Sequence, residues 1–379
     1  MPIYKTNEKN NNGLLKYKVR YNYTDETGKA HSLTRIAYGL AEAKELEYQL
    51  SRSVTETAPS KYTINDLYDE FVKSNQVELR GTTLRVYETY YNNYIRNIIG
   101  NVVLTKINGK ILNSWKNAVN AMDIQLTTKR SAYGKLKTLF NFAVRLDYIA
   151  KNPLEKIPNF KDSNYQKKGI DFYTPEEFSK YIAVARHKAA STNYFDYYIF
   201  FLIAYYTGLR KGEIHALRWR NIKGNTISVE KSITQKLKGD DVETAPKNKS
   251  SIRTIQLPQV LLNELKEHRA RQQNVIPGWT EDGFICGYSR SLRDTSIENE
   301  NKEYSTAAGL KHIRIHDFRH SHASLLINRN ISPLEVAHRL GHSTVDQTLK
   351  TYSHLFPKES EKAVRVLDSV HESYTNNMD

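Results

Sequence analysis

The chain has 379 residues and carries 56 Lys and Arg against 41 Asp and Glu, a formal charge of +15 with neutral histidines. The length suggests two or three domains, and the basic excess points to a polyanionic partner, nucleic acid ahead of an acidic membrane surface. A single cysteine, Cys286, excludes an internal disulfide and a CxxC-type zinc or redox site; the longest apolar run, Tyr197 to Tyr206, falls far short of a membrane helix, and no signal-peptide core opens the sequence, so a cytoplasmic protein without a membrane partner is expected.

From Tyr17 to Tyr23 the tyrosines and Val19 alternate with Lys18, Arg20 and Asn22, and Asp25 to Lys29 supplies a turn before Ser32 to Ile36. This pattern predicts a small antiparallel sheet, covered by a helix over Leu40 to Leu50, in a domain of residues 1–55. Its solvent face is expected to carry Lys16, Lys18, Arg20, Lys29 and Arg35, either a β-ribbon reader of the major groove or the charged outside of an ordinary sheet. Ser53 to Ser60 is polar, contains Pro59 and suits a linker. Beyond it Thr63 and Asp66 form a helix-start signal, Leu84, Tyr87, Tyr91, Ile95 and Ile98 recur at helical spacing, and further helices are predicted from Lys110 to Met122 and from Thr127 to Leu146. Residues 60–158 therefore read as a four-helix domain. Lys129, Arg130, Lys135, Lys137 and Arg145 are its candidate phosphate contacts, although any one of them is more often simply solvated.

A polar stretch from Asn159 to Gly169 precedes a third region, residues 170–379, opened by the capping box of Thr174, Pro175 and Glu177. After the apolar segment ending at Tyr206 come Thr207, Gly208, Leu209 and Arg210, then a short helix in which Arg210 and Glu213 share one face, so that the carboxylate can orient the guanidinium or form an ordinary surface pair. Thr226 to Ser232 and Ile252 to Leu257 predict a β-hairpin with a long connection. Lys247 and Lys249 lie near its second strand, where a mobile tip can deliver an ammonium to a phosphate or leaving group. The densest run is Ile315, His316, Asp317, Phe318, Arg319, His320, Ser321 and His322, with His316 and Arg319 on one helical face. Ser332, Pro333 and Glu335 start another helix, Gly341 is placed to end it, and His342 falls just beyond; Tyr352 follows, as a reactive group or as core filling. A final apolar face over Lys358 to Val370 predicts a helix that docks in cis or on a neighbouring protomer, the second being favoured.

Taken together, the segments TGLR with Glu213, the lysine-bearing hairpin, HDFR, LGH and the downstream tyrosine resemble the tyrosine recombinase family, specifically the phage and integrative-element integrases. The resemblance implies a mainly α fold with small β-sheets (α+β), in which a catalytic domain follows a helical core-binding domain and a small three-stranded arm-binding domain. It also implies an active site of Arg210, Lys247, His316, Arg319, His342 and Tyr352, with Glu213 as accessory; Lys249 is the alternative to Lys247.

The residue types fit that chemistry. Two permanently charged, bidentate guanidinium groups suit a phosphodiester whose charge grows on its non-bridging oxygens during attack. By resemblance Tyr352 is the nucleophile and forms a 3′-phosphotyrosine, Lys247 protonates the departing 5′ oxygen, His316 takes the tyrosine proton and His342 hydrogen-bonds the phosphate. No metal, ATP or other cofactor is expected. The implied partners are double-stranded DNA at attachment sites, three further copies of the chain in a tetramer on synapsed duplexes, an excisionase and a host DNA-bending protein. Three alternatives weigh less. A metal-dependent nuclease on His316, His320 and His322, or on His338 and His342, leaves both arginines and Tyr352 unused. A DNA-binding regulator does not need the intact polar set, and a type IB topoisomerase-like strand transferase does not need an N-terminal sheet domain.

Overall fold

The computed structural model describes residues 3–10, 13–24, 30–55, 62–162, 169–191, 195–235, 241–244, 251–355 and 364. They form two compact units, Met1–Gln166 and Lys167–Asp379.

In the first unit, β1 (Ile3–Lys9), β2 (Leu15–Thr24) and β3 (Ala30–Tyr38) pair antiparallel in sequence order, and α1 (Leu40–Thr55) follows. Side chains alternate along each strand, so one face gathers Val19 and Ala37, which with Ala43 of α1 are fully buried among Ile3, Tyr17, Leu33 and Leu46. The polar sequence of β1, IYKTNEK, hid that strand from periodicity. On the other face Lys18 pairs with Tyr4 and Ile36, Arg20 with Thr34, and Lys16 with Tyr38. Tyr4 and Ile36 are each 50% exposed, an apolar element among the cations. Arg35 requires a correction: it is the partner of Val19, and antiparallel partners share a face, so it stays exposed but on the side opposite Lys18 and Arg20. Lys29 lies outside the described residues.

The same unit contains α2 (Ile64–Asn75), α3 (Gly81–Tyr91), a π turn at Asn92–Arg96, α4 (Asn97–Ile99), α5 (Gly109–Asn120) and α6 (Leu126–Arg145). Thr63 caps α2 reciprocally with Asp66, as expected: Thr63 Oγ1 accepts from the Asp66 amide at 3.2 Å and Asp66 Oδ2 from the Thr63 amide at 2.8 Å. The π turn adds a residue to its turn, so Tyr91, Ile95 and Ile99 become the buried set, and Ile98 is only half-buried. With Leu67, Phe71, Leu112, Trp115, Leu136 and Phe140 they form a core separate from that of the sheet. Lys129 Nζ donates to the Asn120 carbonyl at 2.7 Å, and Arg130 Nε to that of Phe160 at 3.0 Å.

The second unit is organised around α8 (Phe195–Thr207), whose sequence FDYYIFFLIAYYT is apolar on nearly every side and is accordingly central. It packs against α7 (Pro175–Ser191), α10 (Gln259–Val275) and α12 (Asp317–Asn328). The short α9 (Lys211–His215) leads to β4 (Ile222–Lys223), β5 (Thr226–Val229) and β8 (Arg253–Gln256), one antiparallel sheet, while β6 (Ser232–Thr234) and β7 (Val242–Thr244) form a separate hairpin. The single predicted hairpin is thus divided: the ladder breaks at Glu230 and Lys231, and Lys231 Nζ instead pairs with Glu243 at 2.7 Å. Lys247 and Lys249 lie outside the described residues, as does the predicted helix over Lys358 to Val370 apart from Val364. The remaining helices are α11 (Asp294–Ala307), α13 (Pro333–Leu340) and α14 (Val345–Tyr352). Among the described residues no helix is long and apolar enough to cross a membrane.

Candidate active site

Five segments of the second unit converge. Arg210 is the N-cap of α9: its backbone N–H donates to Glu213 Oε2 and its Nη1 to Glu213 Oε1, both at 2.9 Å. The expected brace is therefore present, and it has a second arm. Arg253, on an inward position of β8 with its side chain 2% exposed, donates Nη2 to Glu213 Oε2 at 2.9 Å and Nη1 to Oε1 at 3.3 Å. Its remaining donors reach the carbonyls of Arg339, 2.8 Å from Nε, and Ser251, 3.0 Å from Nη1. Arg253 thereby ties the strand beside the lysine-bearing connection to both the arginine turn and the end of α13.

Gly341 terminates α13 in the left-handed region, φ 65°, as the sequence suggested. Its carbonyl accepts from Arg210 Nη2 at 3.3 Å, and a Cβ there would lie 2.7 Å from Arg253 Nη1. His342, one residue on, has Nδ1 2.7 Å from Thr348 Oγ1. Burial, then the Arg319, Arg210 and Arg253 charges, push its imidazole down to about 4.

On α12, Arg319 is 3% exposed. Its Nη1 donates to the Gly208 carbonyl at 2.9 Å, whereas its buried Nη2 has no hydrogen-bond partner among the described residues. Burial, and then the Arg210 charge, bring this guanidinium down to about 9. Glu213 is the carboxylate shared by Arg210 and Arg253, so this corner of the molecule carries more cation than anion.

Tyr352, the last residue of α14, is 1% exposed, and its Oη lies 2.6 Å from Nδ1 of His320. Burial pushes the phenol up to about 12, against the lowering effect of the Arg319 charge. His316, expected to take the tyrosine proton, stands at the start of α12 with its ring edge-on to His320 at 5.1 Å; burial and then the Arg319 charge, with Arg314 and Arg210 acting the same way, push its imidazole down, and the Tyr352 hydroxyl meets His320. The structure therefore brings together Arg210, Glu213, His316, Arg319, His342 and Tyr352. It adds two residues that the sequence reading missed, Arg253 and His320. A charged residue alternating with Ile255 on the inward side of a strand was the signal for Arg253; position i+4 from His316 was the signal for His320.

The rings needed by a metal-nuclease reading have separate commitments. His322 Nδ1 lies 2.8 Å from the Tyr205 carbonyl, and His320 is engaged with Tyr352. Among the described residues no group of three or more His, Cys, Asp or Glu is arranged to hold a metal ion.

The chain is similar to known proteins along most of its length. The phage integrase family matches residues 172–359, and the phage integrase SAM-like domain matches residues 63–161. The ICEBs1 integrase of Bacillus subtilis is 27% identical over 369 residues, covering 95% of this chain and 98% of the relative. A tyrosine recombinase XerC-like protein of Caldanaerobacter subterraneus is 29% identical over 399 residues, covering 95% and 97%. Among solved structures, the Tn1549 transposon integrase in complex with a circular intermediate DNA superposes with a TM-score of 0.66 at 16% identity, covering 81% of this chain and 99% of that one. A lambda integrase tetramer bound to a Holliday junction gives 0.57 at 17% identity, covering 93% and 95%. At these identities the structural likeness speaks for the fold. Fold and site define a tyrosine-type site-specific DNA recombinase. The chain belongs to the phage integrase family of the tyrosine recombinases.

Proposed function

We propose that this integrase inserts and excises a mobile element or prophage at attachment sites, with Tyr352 as nucleophile and Arg210 and Arg319 holding the scissile phosphate. The observation that carries this reading is the buried Nη2 of Arg319, without a hydrogen-bond partner among the described residues, in a cation-rich site that also contains Tyr352. A phosphodiester supplies the absent acceptor and the absent negative charge, both of which grow as attack proceeds. In cleavage the Oη–P bond forms and the P–O5′ bond breaks, giving a 3′-phosphotyrosine and a free 5′ hydroxyl. Bond energy is conserved, so ligation runs the same step in reverse without ATP. His342 hydrogen-bonds the phosphate, Glu213 fixes Arg210, and Lys247 gives the proton to the 5′ oxygen.

The full chain is expected to form covalent adducts on a nicked core-site duplex, undiminished by EDTA; loss of adduct to the chelator would revive the metal scheme. In that assay Lys247→Ala slows cleavage ~10²-fold or more, and a 5′-bridging phosphorothiolate restores it, because sulfur leaves without protonation. Rescue of Lys249→Ala instead would move the general acid by two residues.

Three functional domains are proposed, residues 1–55 for arm-site DNA, 60–158 for core DNA and 170–379 for catalysis, acting in the cytoplasm as a tetramer on synapsed duplexes with an excisionase and a host DNA-bending protein. Supporting the first is the open sheet face with Lys16, Lys18 and Arg20 beside Tyr4 and Ile36. Arg35, on the other face, is better suited to a flanking phosphate. Lys129 and Arg130, near the start of α6, are the cations proposed for core DNA, and the carbonyls of Asn120 and Phe160 help to hold their side chains in place. Removing residues 1–55 is expected to spare core-site cleavage yet abolish efficient integration, and binding of arm DNA should weaken steeply with salt. A truncated protein that integrates as well as the full chain would refute the arm assignment.

A further inference from the structure

The nucleophile's hydroxyl meets His320, not the histidine that opens the HDFR segment. We propose that His320 is a further catalytic residue of this site, the acceptor of the Tyr352 proton; the proposal rests on Tyr352 being the nucleophile.

The geometry has three parts. The 2.6 Å separation of His320 Nδ1 from Tyr352 Oη is that of a good hydrogen bond, with the phenol donating when the imidazole is neutral. Accepting at Nδ1 places the ring proton on Nε2, which lies 4.0 Å from Oδ1 of Asp317. That is beyond a hydrogen bond but well within electrostatic reach, and it favours both this tautomer and the imidazolium that follows proton uptake. Asp317 is itself 1% exposed and anchored by Arg314, which donates its backbone N–H at 2.9 Å and Nε at 3.0 Å to Oδ2, and Nη2 at 2.8 Å to Oδ1. Nucleophile, base and orienting carboxylate thus stand in the order required for activating a hydroxyl. His316, by comparison, contacts the ring of His320.

The charged and titratable groups around His320 are His316, Asp317, Arg319, Arg314, His342 and Tyr352. Without DNA, burial and then His316 hold its imidazole down at about 4; Arg319 and Arg314 act the same way, and Asp317 opposes them. With the phenol up at about 12, the proton stays on Tyr352 until a phosphate arrives. Phosphate charge beside Arg319 offsets the cations, and the phenol acidifies as its oxygen bonds to phosphorus. The Oη proton then passes to Nδ1 as the Oη–P bond forms and the P–O5′ bond breaks, and the 5′ oxygen leaves with the proton of the general acid. Ligation returns the proton from Nδ1 to Oη.

The test compares His320→Ala, His320→Asn, His316→Ala and Tyr352→Phe in the full chain, reading adduct formation on nicked core-site duplex and half-site binding. Asn keeps a hydrogen-bonding group near the position of Nδ1 but takes up no proton. Both His320 variants are expected to lose ~10²-fold or more in adduct rate with half-site binding within about twofold of the parent. They should also lose the acid limb of the parent's pH–rate profile, and bridging sulfur should not restore them. A parental rate in His320→Asn would overturn the proposal, leaving only a positioning hydrogen bond, as would a parental or faster rate in His320→Ala with a slow His316→Ala. Adducts persisting in Tyr352→Phe would remove the nucleophile assignment itself, whereas active His320 variants alongside an inert Tyr352→Phe would sink the His320 role alone.

Discussion

Tyr352→Phe should abolish covalent protein–DNA adducts, a loss of roughly 10⁴-fold or more in strand cleavage, while half-site binding stays near that of the parent. The asymmetry follows from where the hydroxyl is. Tyr352 is buried, its ring packs with Ala323, Ile327, Val336 and Leu340, and Phe retains every one of those contacts. What disappears is one hydrogen bond to His320, worth about 1 kcal/mol to the fold. Thermal denaturation should therefore show a small change beside a complete chemical defect. Adducts surviving in the variant would redirect attention to another tyrosine, such as Tyr374.

Glu213→Gln should damage the fold as well as the chemistry. The carboxylate joins Arg210 to Arg253, and both Glu213 and Arg253 are nearly inaccessible to water. Removing one partner of such a pair leaves a buried guanidinium uncompensated, at about 3–5 kcal/mol. Urea denaturation followed by circular dichroism checks this, and a shift in midpoint within error of the parent would contradict it. The pH dependence has a definite sign. Burial alone would raise the Glu213 carboxyl, but the hydrogen bond and charge of Arg253, followed by those of Arg210, hold it below the usual carboxylate range. A carboxyl depressed in the folded state contributes its full stability above the unfolded-state value, about 4.3, and loses that contribution as pH falls toward the folded value. The parent should therefore weaken along that acid limb, and Glu213→Gln should lack this component of the slope.

Local rules made much of this molecule legible. The Thr63–Asp66 box, the Arg210–Glu213 turn and the glycine stop at Gly341 depend on a few adjacent residues, so their geometry is encoded where it occurs. What escaped depends on partners far away in the chain. Arg253 lies in a strand of four residues whose alternation is too short to separate a buried cation from a surface one, and its partner Glu213 is on a different element. Arg35 was assigned by composition, but its face is set by pairing register with Val19. Ile98 yielded its buried place to Ile99 because a π turn changes the period midway through an otherwise regular pattern. His320 was passed over because residue spacing says which helix face a ring is on, but not which atom of a later helix its nitrogen meets.

Gly341 has a consequence for anyone wishing to retarget this enzyme. One residue offers a carbonyl to the first arginine and, by having no side chain, leaves room for the guanidinium of Arg253. A replacement even as small as alanine would have to adopt a left-handed backbone, about 1–2 kcal/mol unfavourable, and displace that guanidinium at the same time. Libraries that randomise this turn would consist almost entirely of inactive members. Lys18, Arg20 and Thr34, by contrast, are exposed on one face of the N-terminal sheet, in a unit other than that of Gly341, and substitutions there are expected to leave this turn intact.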